Sequence, residues 1–248
     1  IKILIFSNVC CYYALLTNWL LQKTKELIFR RPRPYKPIPP PILQGIERVI
    51  VAKLLGVYLK DDLSFSYHID FIITQCAQRM YVLRAMRNRG LPPDCLNVIF
   101  TALILSRIMY DVCAWGGFIT AAQHCRLNKV LSKCHRYQYC TSTSLFEDLL
   151  VHADRVLFRK VQSSIHCLNH MLPAIRSSVR MLRDRGHPFT LPVCERELFK
   201  RSFIVRCLYS QIWPHILTCP FPYNLLSLSI CKRLTIYICV SSFVCGCV

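Results

Sequence analysis

The chain has 248 residues, enough to bury a real core as one large domain or two small ones. Its 32 Lys and Arg against 13 Asp and Glu give a formal charge of +19, which points to a polyanionic partner, either nucleic acid or an acidic membrane surface. Sixteen cysteines include no C-x-x-C pair, which argues against a zinc ribbon or thioredoxin-like site and for a reducing, intracellular compartment.

Hydrophobic residues make up 53% of the chain and concentrate at its ends. Residues 1–21 and 225–248 are apolar and of near-spanning length. The first shows no small-residue cleavage site, so a signal peptide fits poorly. In the second, Lys232 and Arg233 leave 15 uncharged residues behind them. Irregular structure or an apolar helix is expected at both ends, with a membrane-associated protein as the alternative reading. The first residue is not Met, so it need not be a natural start.

Residues 24–31 have strand character and are followed by R-P-R-P-Y-K-P-I-P-P-P. Proline fixes φ and lacks an N–H, so this run is an extended connector; a proline-rich docking ligand is its functional alternative. Residues 48–59, rich in Val, Ile and Leu, are a second strand candidate. Two strands around a long loop predict an antiparallel hairpin.

From Ser66 the period becomes helical: Ile69, Ile72, Ile73, Cys76, Met80 and Leu83 form one stripe. Ser66 is placed to cap this helix, and Gly90 with Pro92 and Pro93 ends it. A second helix is expected from Asp94, with Leu96, Ile99, Phe100, Leu103 and Ile108 as its core face and Gly116-Gly117 as its stop. Thr120 opens a third, running towards Tyr139. Ser144-Leu145-Phe146-Glu147 reads as a capping box for a fourth. A fifth, about 154–172, ends at Pro173, and 195–212 reads as a last basic amphipathic helix after a loop at 183–193. The expected fold is therefore mainly α, a small helical bundle preceded by one antiparallel β-hairpin.

Arg79, Arg84, Arg87 and Arg89 lie mostly away from the apolar stripe of the first helix, with Arg30, Arg31 and Arg33 near the hairpin. Outward guanidiniums of this kind suit the sequence-independent, salt-sensitive holding of phosphates. His166 and His170, spaced i, i+4 with Cys167 between, could hold zinc but have no second ligand pair, and Cys134, His135 and Cys140 are similar. Packing is the simpler role for them, as for the scattered cysteines Cys76, Cys134, Cys167 and Cys207. Glu26, Glu47, Asp70, Asp94, Asp111, Glu147, Asp148 and Asp154 are dispersed and expected at helix starts and on solvated faces.

The ordered segments "KTKELIFRRPRP", a proline-rich gap, "GIERV", "AKLLGVYLKDDLSFSYHI", "LILSRIMYDVCAWGGFIT" and "RGHPFTLP" resemble the reverse transcriptase of LINE-type (non-LTR) retrotransposons. The resemblance runs from about Lys23 to Leu208 and covers the end of the palm and the region after it. It implies a hairpin from the palm end at 23–65, a thumb-like helical region at 66–143 and a C-terminal helical region at 144–213. The apolar segments at 1–22 and 214–248 lie outside it and have the character of read-through of non-coding or frameshifted sequence. Lys23 aligns with the lysine of the fourth palm motif, and Leu55-Gly56 with the primer grip. The implied parent activity is RNA-directed DNA synthesis with magnesium, on an RNA template and DNA primer.

Tyr58-Leu59-Lys60-Asp61-Asp62 looks like a polymerase metal box but departs from it. That box is aromatic-x-Asp-Asp, its carboxylates holding two divalent ions. Here the spacing is one residue too long, Lys60 would compete with a metal, and the pair follows the Leu-Gly turn where the family's aspartates precede it. Asp61 and Asp62 are expected to end a strand and favour the next helix start. No catalytic, metal or cofactor site is assigned, and this chain by itself is expected to be inactive. The candidate nucleic-acid contacts are Lys23, Leu55, Gly56, Arg79, Arg84, Arg87 and Arg89.

Overall fold

The computed structural model describes residues 2–6, 24–29, 38–176 and 187–210, the first of these as backbone only. Lys23, Arg30, Arg31, Arg33, and the expectations for 7–22 and the tail from 214, lie outside the described residues. The chain divides into two compact units, Ile1–Ile72 and Ile73–Val248. It is mainly α.

The first unit holds β1 (Lys2–Phe6), β2 (Thr24–Ile28), β3 (Glu47–Val49), β4 (Val51–Leu54) and β5 (Val57–Lys60). β1 pairs antiparallel with β2, and β2 pairs parallel with β3. Contrary to expectation, residues 2–6 are strand, not irregular chain or apolar helix, and the two predicted strands do not pair as a hairpin. The long proline-rich connection instead serves as the crossover that a parallel pair requires.

The antiparallel hairpin is local to the second predicted strand, which splits into β4 and β5 with Leu54 opposite Val57. Leu55 at φ 48° and Gly56 at φ 95° form the two-residue turn, both in the left-handed region that matches strand twist. A leucine there is strained, whereas glycine is at ease. Ala52, Val57 and Leu59 are buried while Lys53 is exposed, the alternation of a half-buried ribbon. The opposite face gathers Tyr58 against Tyr67 and Phe71, with Lys53 Nζ 5.5 Å from the Tyr58 ring centre.

His68 lies under this hairpin, 3% exposed, and burial pushes its imidazole down to about 4. Its Nδ1 accepts from the Tyr58 N–H at 3.5 Å, so it sits neutral. A depressed native value means that the unfolded chain binds the proton first. The contribution is complete above the ordinary value of 6.5 and is lost as pH falls towards 4. Unfolding free energy should therefore fall by about 1.4 kcal/mol per pH unit below pH ~6.5, about 2 kcal/mol by pH ~5. Denaturant titrations of wild type and His68→Leu at both pH values check this; equal slopes in the two proteins would refute it.

The helical region opens with α1 (Ser66–Asn88). Ser66 is its first helical residue rather than its cap, since the Phe65 carbonyl takes the Ile69 N–H. Gly90 at φ 82° closes it, with Leu91 N–H returning to the Met86 carbonyl in a Schellman arrangement. The predicted second helix is interrupted. α2 (Pro93–Phe100) runs through a π-turn at Thr101–Leu105 into α3 (Ser106–Met109). Extended Tyr110 and left-handed Asp111 then break the rod, and α4 (Val112–Trp115) restarts it. Gly116 and Gly117 follow in a 3-10 turn, so they do not stop the main rod. They are needed for space: a Cβ on Gly116 would lie 2.7 Å from Leu150 Cδ1, and one on Gly117 would overlap the Arg206 guanidinium.

α5 (Ala121–Arg136) starts at Thr120 with a reciprocal capping box to Gln123. The box predicted at Ser144 is absent. α6 (Phe146–Val161) begins after Leu145, and its first N–H is taken by Asn128 Oδ1 of α5 at 2.8 Å. Glu147 binds Asn128 Nδ2 and His124 instead of its own cap. The predicted fourth and fifth helices are thus one helix ending at Val161, followed by turns and a 3-10 turn at Asn169–Met171. The last predicted helix is split into α7 (Glu197–Lys200) and α8 (Phe203–Ser210) by Arg201 and Ser202. Trp115, Phe146, Leu127 and Phe158 are fully buried at the centre of this unit.

Candidate nucleic-acid interface

The four arginines of α1 and its end divide into two kinds. Arg79 is half-buried and its Nη1 donates to the Leu103 carbonyl at 2.9 Å, within the π-turn. Widening from i+4 to i+5 disturbs the carbonyl pairing of a helix, and Arg79 supplies a donor at that point. Arg87 Nη1 donates to the Tyr137 carbonyl at 2.7 Å while its guanidinium lies 5.4 Å from the Tyr139 ring centre. The expectation that all four face outward is therefore wrong in part for these two, each half-buried with one guanidinium N–H on main chain. Arg84 and Arg89 are exposed.

Arg87 joins the end of α1 to the end of α5, and a basic group surrounds that junction. Lys133, His135 and Arg136 occupy the last turn of α5, all exposed. The Tyr137 ring lies 5.9 Å from Lys133 Nζ and 5.3 Å from the Arg136 guanidinium. Arg84, Arg89, Lys133 and Arg136 can meet phosphates without loss of a core contact. Positive charge there also opposes the negative ends of two helix dipoles. Sequence reasoning missed Lys133, Arg136 and Tyr137; their last-turn cluster on an amphipathic helix was the available signal.

Leu55 and Gly56 sit at the hairpin tip. Asp61 and Asp62 each bond within the chain. Asp61 N–H continues the ladder to the Ile50 carbonyl, and Asp62 accepts from Ser64 N–H and Lys60 Nζ, each at 2.9 Å. Burial works against the Asp62 charge, but Ser64 and Lys60 hold its carboxyl below the ordinary range. His166 and His170 do not share a helix: one lies in a turn, the other in the 3-10 turn after α6. Among the described residues no three His, Cys, Asp or Glu side chains gather as a metal would need.

Two acids expected on solvated faces are buried. Glu26 is fully buried against Arg48, 2.7 Å from its Nε. Asp154 lies in the core of α6, bidentate to Arg206 of α8 at 2.8 and 2.9 Å. Arg206 also donates to the Arg201 and Cys113 carbonyls. Burial opposes the Arg206 charge, yet Asp154 holds it above its ordinary value; burial raises the Asp154 carboxyl, with Arg206 pulling the other way. Desolvation also pushes the Cys76 thiol up to about 11 and Cys134 to about 12, so these are inert packing groups rather than nucleophiles. Cys167, expected in a helix, is exposed in a turn.

No family model matches the chain, and no curated protein or solved structure matches it.

Proposed function

We propose that the chain is the palm-end and thumb region of a LINE-type reverse transcriptase, able to hold template and primer backbone but without polymerase activity by itself. The observation that carries this reading is an order: a hairpin turned at Leu55-Gly56 leads directly into α1 and a helical body, where the resemblance expects a primer grip and then a thumb. The exposed basic group at the joined ends of α1 and α5 suits phosphate contact that reads no sequence. Magnesium belongs to the parent reaction; here Asp62 is engaged with Lys60 and Ser64, and the Asp61 N–H with the Ile50 carbonyl.

A labelled RNA–DNA hybrid titrated at several salt concentrations tests the reading. Arg84→Ala with Arg89→Ala should lower the slope of log affinity against log salt by about two units, with sequence preference unchanged. Identical affinity and slope would make these arginines a solvated face and remove the reading's functional content. On a primed RNA template with magnesium or manganese the chain should incorporate no deoxynucleotide. Extension that disappears in Asp61→Asn, Asp62→Asn would show the opposite.

A basic membrane-associated protein is the second reading. Pro93–Phe118, a stretch of 26 residues, is long and apolar enough to cross a bilayer. Yet Leu96, Phe100, Ile104, Ile108 and Trp115 along it are buried in the protein, as in the core helix of a soluble domain. Retention in the membrane pellet after alkaline extraction would favour this second reading.

A further inference from the structure

We propose that the segment from Ile38 to Leu43 is a docking ligand for a domain that reads polyproline helix through an aromatic-lined groove. Its sequence, I-P-P-P-I-L, follows Pro37 and contains three consecutive prolines. Proline sets φ near the polyproline value and removes the N–H, so the segment is pre-shaped for such a groove and cannot join a ladder.

Three observations go beyond composition. The whole segment is exposed, Ile38 at 94% and Ile42 at 66%, so two branched apolar side chains flank a bare proline run. Single exposed apolar residues are ordinary; an unbroken ridge of them marks a contact surface. The ridge is also held in place. Arg48 Nη2 donates to the Pro40 and Pro41 carbonyls at 2.8 and 3.0 Å, while its Nε binds buried Glu26 at 2.7 Å. Glu26 and Arg48 are register partners across β2 and β3, so the sheet itself anchors two proline carbonyls. A segment already tied at two carbonyls loses less entropy on binding than a free one.

A mere crossover between parallel strands needs length, which polar residues supply as well. It does not need an apolar ridge pinned by a buried ion pair. The partner's chemistry follows from the segment: aromatic rings to receive prolines and isoleucines. This inference is independent of the nucleic-acid reading.

The test uses the full chain and purified SH3, WW and EVH1 domains as probes, with binding followed by calorimetry. At least one domain should bind, and Pro39→Ser, Pro40→Ser, Pro41→Ser should weaken that binding about tenfold or more. The triple variant keeps every charge and every carbonyl, so it separates groove recognition from capture of an acidic domain by a +19 chain. Its circular dichroism at the assay temperature should match wild type, because the altered side chains are exposed, although the freed φ angles should lower its unfolding midpoint. Failure of all three domains to bind, or equal binding by wild type and variant, would overturn the proposal.

Discussion

Arg206→Met should lower the free energy of unfolding by about 3–5 kcal/mol, because it leaves the Asp154 carboxyl buried without its partner. The ion pair is shielded: Asp154 is 5% exposed, and the guanidinium meets it through two parallel bonds. The same guanidinium satisfies the Cys113 and Arg201 carbonyls, so it ties α4, α6 and the start of α8 through one side chain. Removing both charges, as Asp154→Leu with Arg206→Met, should recover at least about 2 kcal/mol of the loss, since the lone buried carboxylate is gone. Recovery should remain incomplete, because two carbonyls stay without their donor at about 1–3 kcal/mol each. Urea unfolding of the three proteins measures this directly. A single variant that costs under about 1 kcal/mol would mean that water reaches Asp154 and that the pair behaves as a surface bridge.

Trp115→Ala should be comparably severe, at about 3–5 kcal/mol. Trp115 is fully buried and stacks on Phe146, with ring centres 5.6 Å apart. Its Nε1 also donates to the Tyr110 carbonyl at 2.9 Å, across the break between α3 and α4. Two effects therefore add: a large cavity beside Phe146, and a lost anchor for the left-handed turn at Asp111. Trp115→Phe separates them. It keeps an aromatic surface against Phe146 but loses the donor, and should cost about 1–3 kcal/mol. If Phe and Ala variants unfold at the same denaturant concentration, the hydrogen bond carries the effect and the cavity argument fails.

Much of the local structure was written in the sequence, because its causes are local. The change of period at Ser66 marked α1, and Gly90 ended it, since only glycine takes φ 82° without strain. Thr120 and Gln123 lie three residues apart, close enough to cap one helix whatever surrounds them. The hairpin at Leu55-Gly56 was not among these, since 48–59 read as one strand expected to pair with 24–31.

Other features were decided by groups distant in sequence. The Ser144 to Glu147 box obeyed the local rule yet lost to Asn128, which lies 18 residues away from the N–H it accepts. Arg79 and Arg87 had the right period for an outward face; only the placing of Leu103 and Tyr137 turned their donors inward. That leaves Arg84 and Arg89 exposed, as Lys133 and Arg136 of α5 are. Asp154 offered one hint, a carboxylate in line with Leu150, Leu157 and Phe158 on the apolar face of α6, but its partner lies 52 residues on.

Period, turn chemistry and spacing act within a few residues, so the sequence by itself determined the mainly α class and most helix starts. Pairing of β2 with β3, the split of the second helix, and the fate of each charge depend on which carbonyl, ring or carboxylate the folded chain brings alongside. Burial then fixes the outcome, because a charge or donor removed from water must take whatever partner the packing provides. Tertiary structure alone therefore decided which arginines bond to main chain and which stay exposed.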